Sequence, residues 1–260
     1  MGSATTQAFA LSGYGCIVVD KKIGINTLNV FSLIGLCSRY KPEVIVHLSA
    51  KKSVGESIKK PAAYYVNNVG STLAISLVAT LFRLPLVFAS SAAIYAPNNP
   101  YAKGKLLEEK IVARLKRHVI LRYFNIGGQD EDIKDDKSTN IFSIINSTVR
   151  TKKTFSVNDK DSTRDYVHVK DIAQANLKAA EHLLKGGNSL TTDICSNTQY
   201  SVIDILKIYS DSSVDVDVEY KNLKDVTILP EAMNQEVIDW SPTYTFKEIV
   251  QSEAWSTLKP

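Results

Sequence analysis

A doubly wound parallel sheet of the α/β class, followed by a smaller mixed α/β region, is the fold this sequence predicts, and three observations predict it. Apolar, β-branched runs alternate with amphipathic helical stretches along most of the 260 residues, which is the signature of βαβ units. The runs CIVVD (16–20), EVIVHLSA (43–50), LPLVFASSA (84–92) and HVILRYF (118–124) each lead into polar or glycine-containing turn chemistry. With 44% hydrophobic and 22% charged residues, the chain can bury one large core or two modest ones.

The elements follow in order. What comes directly after Met1-Gly2-Ser3 reads as a helix, and CIVVD as the first buried strand. Between the second and third strands, Val66, Val69, Leu73, Leu77 and Leu81 recur at three to four residues, so 61–82 is a helix. Another helix starts at Asn99-Pro100, an N-cap followed by proline at the first helical position, and carries Leu107, Ile111 and Leu115 on one side. After Asn125 the pattern changes: Gly127, Gly128 and the run QDEDIKDDK read as a solvated loop. TNIFSIINSTVR, RDYVHV, DIAQANLKAAEHLL, TTDIC and SVIDILKIYS then mix helices with short strands, and Ser201 suits an N-cap for the last of these. The expected division is 1–125 for a dinucleotide-binding domain and 126–260 mainly for a substrate-binding region, some of whose segments return to the first sheet.

Composition narrows the function. Lys+Arg 31 against Asp+Glu 27 gives a net charge of +4, scattered along the chain, which speaks against nucleic acid or membrane surface as a partner. No apolar run approaches the roughly eighteen residues of a bilayer span, and MGSATTQAFALSGYG has no basic stretch leading into an apolar core. Cys16, Cys37 and Cys195 are an odd number without short spacing, and the four histidines do not join them at metal-ligand spacings. A reduced, cytoplasmic protein without a metal site is the expectation.

In a Rossmann-like sheet, pyrophosphate sits on the N-terminus of the helix after the first strand, and an acid ending the second strand bonds the ribose hydroxyls. Asp20 suits that acid and favours NAD over NADP, since a carboxylate repels a 2′-phosphate; a plain turn aspartate is the alternative. Of the glycine fingerprint only Gly2 is present. Tyr101 and Lys105, four residues apart at a helix start, share one face. An ammonium beside a phenol stabilises the phenolate and makes it usable as a base near neutrality. Alone, Y-x-x-x-K also fits an exposed helix face. Ser90 and Ser91 end the preceding strand on the side where open α/β sheets bind ligands, although serines there also serve as turn formers.

These residues, with VIVHLSAKKSVGESIKKPAAYYVNNVGSTL, FASSAAIY, PYAKGKLLEEK, ILRYFNIGG and STRDYVHVKDIAQA, resemble the extended short-chain dehydrogenase/reductase family, and within it the UDP-glucose 4-epimerase branch. The resemblance implies NAD as cofactor and a UDP-hexose as substrate. It implies Ser91, Tyr101 and Lys105 as the catalytic trio, with Tyr101 as base and Lys105 on the nicotinamide ribose. Gly2, Asp20, Lys52, Asn67, Ser90, Tyr123 and Phe124 are the further cofactor positions, and Asn125, Asn140 and Arg164 join Ser91 as substrate positions. A planar guanidinium suits diphosphate oxygens, which supports Arg164, while a salt bridge to Asp165 is its alternative. His168, between two valines, reads as a packed core residue. A homodimer through a four-helix bundle, built from helices 65–81 and 101–115, is also implied.

Four places depart from the family pattern: the opening strand with its glycine loop, the stretch between Asp20 and Asn29, the loop at PNNP (97–100), and YKNLKDVTILPEA, where only Asp225 remains beside a missing second arginine. Each is a phosphate, adenine or sugar contact, so the expectation is that the physical polypeptide carries further residues there and has an intact mass above 28.7 kDa. A pocket-size gate is expected near Ile228 or Leu229. A nucleotide-sugar 4,6-dehydratase is disfavoured because no carboxylate occurs between Leu86 and Leu107. A silent sugar-nucleotide binder is the remaining alternative.

Overall fold

The computed structural model describes residues 1–128, 140–221 and 238–258. The charged run 129–137 and positions 225, 228 and 229 lie outside these described residues. The chain divides into two compact units, the first holding Met1–Tyr123, Ala173–Asp193 and 238–240, the second Phe124–Ile172, 194–221 and the residues from Ser241 on.

In the first unit, β1 (Ile45–His47), β2 (Leu86–Ser91) and β3 (His118–Tyr123) pair in parallel, with Val46 opposite Val87 and Val87 opposite Val119. β8 (Leu190–Ile194) lies beyond β3, giving the order β1-β2-β3-β8. Helices cover both faces of such a sheet, so its strands read as nearly continuous apolar runs. Leu86, Val87, Phe88, Val119 and Leu121 are fully buried, each stabilising the fold by about 1.5–3 kcal/mol before entropy is counted. Leu33, Cys37, Ile75, Val78, Phe88, Val112 and Ile120 form one core cluster.

Five helical stretches surround this sheet. α1 covers Gly2–Leu11, and α2 covers Val30–Tyr40, capped by the Asn29 side chain on the Ser32 N–H. Ser53 caps α3 (Val54–Lys59) in the same way. The expected long helix runs from α4 (Pro61–Tyr64) through one widened turn at Tyr65–Val69 into α5 (Gly70–Phe82). By length and composition Pro61–Phe82 could cross a membrane, but half of it is buried in the fold. α6 (Pro100–Val112) begins as its sequence dictates, with Asn99 accepting from the Ala102 N–H and Pro100 in the first turn.

CIVVD is a correction. Residues 14–20 form no strand, and Ile17 and Val18 are 42% and 48% exposed. The apolar pattern is right for a strand, but a strand exists only with a ladder partner. In a doubly wound sheet the opening strand lies between this segment and β1, and no such strand occurs among the described residues.

The second unit is built from short pairs. β4 (Asn125–Gly127) runs parallel to β7 (Tyr166–His168), β5 (Phe155–Val157) parallel to β10 (Val218–Tyr220), and β6 (Thr163–Arg164) antiparallel to β9 (Tyr200–Ser201). α7 (Ile141–Arg150), α9 (Val202–Asp211) and α10 (Phe246–Leu258) pack around Phe142, Ile145, Tyr166, Ile205, Tyr209 and Ile249. Ser201 caps α9 in a reciprocal box with Asp204. α8 (Val169–Leu184) starts in this unit and continues in the first. Gly127 and Gly128 are required by close approach: a Cβ on Gly127 would lie 2.5 Å from the Phe142 ring, and one on Gly128, at φ +81°, 2.0 Å from the His168 ring. His168 is buried and stacked on Tyr244 at 3.9 Å, a packed core residue as the sequence suggests.

Candidate active site

The first unit gathers its reactive side chains at the C-terminal end of β2. Ser91 closes that strand and accepts from the Ala93 N–H at 3.2 Å, which leaves its own proton available to donate. Tyr101 sits in the first turn of α6, where its N–H donates to Ser57 Oγ at 3.3 Å. The Tyr101 hydroxyl has no hydrogen-bond partner among the described residues.

Lys105 lies one turn on and is 3% exposed. Its Nζ donates to the Ala89 carbonyl at 2.9 Å and to Glu108 Oε2 at 3.2 Å, and stands 4.7 Å from the centre of the Phe88 ring. An ammonium has three N–H donors. Two are thus satisfied by the protein, and the third has no acceptor among the described residues. The arrangement suits acid–base chemistry on an alcohol: a free phenol, a fixed ammonium on the same helix, and a serine hydroxyl ending the adjacent strand.

Ser90 faces the other way. Successive side chains of a strand point to opposite faces, and Ser90 Oγ, 3% exposed, donates to Glu109 Oε1 at 2.5 Å. The Arg122 fork holds Glu109 with Nε at 3.1 Å and an Nη at 2.9 Å. Arg122 also donates to the Tyr95 hydroxyl at 3.1 Å, and Tyr95 donates to Asp193 at 2.8 Å. Burial, then the Asp193 bond, pushes the Tyr95 phenol up to about 12. The Ser90 hydroxyl is therefore committed to a buried framework of Glu109, Arg122, Tyr95 and Asp193.

The other cofactor positions are scattered. Asp20 is exposed and accepts from the Lys22 N–H at 2.8 Å, a local cap. Asn67 accepts from Lys21 Nζ at 2.7 Å and donates to Asn68 at 2.9 Å. Lys52 is exposed. Gly2 opens α1, whose first turn has no side-chain cap, and nothing lies within 4 Å of a Cβ built there. Tyr123 is not available to a ligand through its hydroxyl, which donates to Asn176 at 2.6 Å in a buried chain that continues to Thr5 at 3.1 Å. Burial raises that phenol further still.

The remaining positions belong to the second unit. Phe124 is buried there, and Asn125 is exposed with its side chain donating to the Asp165 carbonyl at 3.1 Å. Asn140 caps α7 by accepting from the Ser143 N–H at 2.8 Å. Arg164 donates to Ser162 Oγ at 2.5 Å and to the Thr163 carbonyl at 2.7 Å. Asp165 instead accepts from the Ser196 and Thr198 N–H groups at 2.8 and 3.2 Å, and burial is the leading reason its carboxyl is raised. Sequence reading missed Glu108, Thr72 and His47, which lie under Lys105; the three-residue spacing of Lys105 and Glu108 on a helix was the available signal.

Residues 1–195 match the family model described as the NAD dependent epimerase/dehydratase family. The chain belongs to that family. A UDP-glucose 4-epimerase of Rhizobium leguminosarum bv. trifolii is 30% identical over 255 residues, covering 84% of this chain and 78% of that protein. One from Rhizobium meliloti (strain 1021) is 30% identical over 306 aligned residues, covering 98% of the chain and 93% of its own length. The alignment is longer than the chain's 260 residues, so that relative carries residues this family member does not. Among solved structures, the UDP-glucose 4-epimerase from Brucella ovis in complex with NAD superposes with a TM-score of 0.91 at 26% identity, over 98% of this chain and 94% of that one. The extended short-chain fold and its epimerase likeness thus stand as the sequence resemblance implies.

Proposed function

We propose that this family member is an NAD-dependent isomerase that interconverts UDP-glucose and UDP-galactose. The observation that carries the reading is a Tyr101 hydroxyl without a partner among the described residues, one helical turn from the buried Lys105 ammonium, on the helix packed against the strand that Ser91 ends. The relatives and the Brucella structure support it.

The residues of the first unit fit NAD. The uncapped first turn of α1 offers N–H groups to a pyrophosphate, the space at Gly2 lets a phosphate approach, and Lys105 keeps one donor for a ribose hydroxyl. When bound, NAD supplies the acceptor and later the donor of a hydride at the sugar C4. Tyr101 oxygen takes the proton of the sugar 4-hydroxyl, and Ser91 donates to the same oxygen. The 4-keto sugar then turns within the site to present its other face, and Tyr101 returns the proton to the inverted alcohol. Lys105, held as an ammonium, stabilises the phenolate form during both transfers.

Residues 1–125 serve the cofactor in this reading and 126–260 mainly the UDP-sugar, with Arg164 on the diphosphate and Asn125 and Asn140 on the sugar nucleotide. The apolar stripe Val66, Leu73, Leu77 and Leu81, 53% to 63% exposed, with Leu107 on α6, supports a homodimer through a four-helix bundle. Substituting glutamate at Leu77 and Leu81 is expected to give a monomer by light scattering. The cytoplasm is the location proposed. Incubation of the purified protein with UDP-galactose and with UDP-N-acetylgalactosamine, with chromatographic separation of products, tests the function. UDP-glucose from the first is the expected result, and no epimer from either substrate overturns the reading.

A further inference from the structure

Glu108 is fully buried, two oxygens included, on the helix that carries Tyr101 and Lys105. Its Oε2 accepts from Lys105 Nζ at 3.2 Å and from Thr72 Oγ1 at 2.9 Å. The single hydroxyl proton of Thr72 is committed to that carboxylate, so the 3.1 Å contact between Thr72 Oγ1 and His47 Nε2 has the imidazole as donor. His47 is therefore the neutral tautomer protonated at Nε2, and its buried Nδ1 has no partner among the described residues. Burial first, and the charge of Lys105 second, push His47 down to about 3, which keeps it neutral. Glu108 Oε1 likewise has no partner among the described residues. A buried carboxylate with an unsatisfied oxygen is costly, and a leucine would fill the same space without that cost.

Such a cost is retained where the group fixes another one. The directed chain His47 to Thr72 to Glu108 runs from β1 across α5 to α6 and fixes one acceptor oxygen; the Ala89 carbonyl fixes the other. Two acceptors and the Phe88 face leave the Lys105 ammonium one position and one orientation of its remaining N–H. We propose that Glu108 is a positioning residue for Lys105, setting where that remaining donor points for a cofactor ribose and for Tyr101. The proposal rests on the epimerase reading of the same site and adds a residue that the sequence motif of the trio does not contain.

The test compares Glu108→Leu, Glu108→Gln and Thr72→Val with the parent protein, measuring kcat and KM for UDP-galactose, NAD retained after gel filtration, and the unfolding midpoint. Glu108→Leu is expected to lower kcat by about tenfold to a hundredfold, the scale of a misplaced catalytic group, with KM within about twofold and less NAD retained. Glu108→Gln, whose amide oxygen still accepts, recovers most of the lost kcat. Thr72→Val, nearly isosteric, lowers kcat by a smaller factor in the same direction and decides the matter if Glu108→Leu does not fold. A lower midpoint with parental kcat and NAD content in Thr72→Val and in any folded Glu108→Leu overturns the proposal and makes the network purely structural. A parent protein that neither retains NAD nor converts UDP-galactose overturns the epimerase reading itself, and the role of Glu108 falls with it.

Discussion

Ser90 donates its hydroxyl to Glu109 at 2.5 Å, and this bond turns the first of two adjacent serines away from the second. Among the described residues the Ser91 hydroxyl accepts from the Ala93 N–H and donates to none. One residue step along β2 thus separates a framework hydroxyl from the one proposed to react.

The two serines respond differently to truncation. In the proposed epimerase reading Ser91→Ala removes the donor to the reacting oxygen, and it is expected to lower kcat by about 10²–10³, with a small change in the unfolding midpoint. Ser90→Ala removes a donor to a buried carboxylate that keeps its Arg122 fork, a loss of about 1.5–3 kcal/mol for a hydrogen bond to a charged group. Urea unfolding and initial rates on both variants check the split. Equal loss of kcat in the two would show that Ser90 also acts at the site.

Tyr101→Phe tests the proposed base. Because the hydroxyl has no partner among the described residues, its removal is expected to leave the unfolding midpoint unchanged. Conversion of UDP-galactose falls by about 10²–10⁴, the worth of a positioned proton-transfer group. Residual activity near the parental rate would assign the base elsewhere.

What the sequence made legible was local. Asn99 and Pro100 open α6, and Ser201 with Asp204 opens α9, because capping is decided within four residues. β2 and β3 are long apolar runs buried on both faces, and their composition admits little else. CIVVD has the same composition and forms no strand, since its neighbour in the sheet decides that and lies elsewhere in the chain. Tyr101, Lys105 and Ser91 are site candidates by spacing, strand position and family resemblance. Ser90 could have been set apart by the period of two along β2. The spacing from Lys105 was a signal for Glu108, but the other partners of the two adjacent carboxylates, Thr72 for Glu108 and Arg122 for Glu109, come from distant segments that no local pattern reveals.

Gly128 offers a test of packing against strain. At Gly186, φ is +88° and nothing lies within 4 Å of an added Cβ, so Gly186→Ala is expected to cost only the left-handed backbone penalty, about 1–2 kcal/mol. Gly128→Ala meets the same penalty at φ +81° and in addition drives a methyl to 2.0 Å from the His168 ring, which is stacked on Tyr244 and cannot withdraw freely. Its loss of stability is expected to exceed that of Gly186→Ala by at least about 1 kcal/mol, the lower end for overpacking a tight site. Paired urea titrations measure the difference. Equal midpoints would mean that the β4–β7 region yields without cost.

His47 ties acid stability to the network under Lys105. Its imidazole titrates at about 3 in the folded chain against 6.5 in the unfolded one. Above pH 6.5 both states hold it neutral, and it contributes nothing to the pH dependence. As pH falls below 6.5 the unfolded state takes up a proton that the folded state refuses until about 3, so stability is lost through that window. At pH 4.5 the loss from this group is about 2–3 kcal/mol, from 1.36 kcal/mol for each pH unit below the unfolded value. The raised Asp165 carboxyl works in the opposite sense and the lowered Glu56 and Glu248 carboxyls in the same sense, so the histidine's share is read from the difference between a variant and the parent. His47→Gln keeps a donor for Thr72 without a titrating ring, and its midpoint is expected to fall less than that of the parent between pH 7 and pH 4.5. Parallel pH curves for the two proteins would place the imidazole in contact with solvent and break the directed chain from His47 to Lys105.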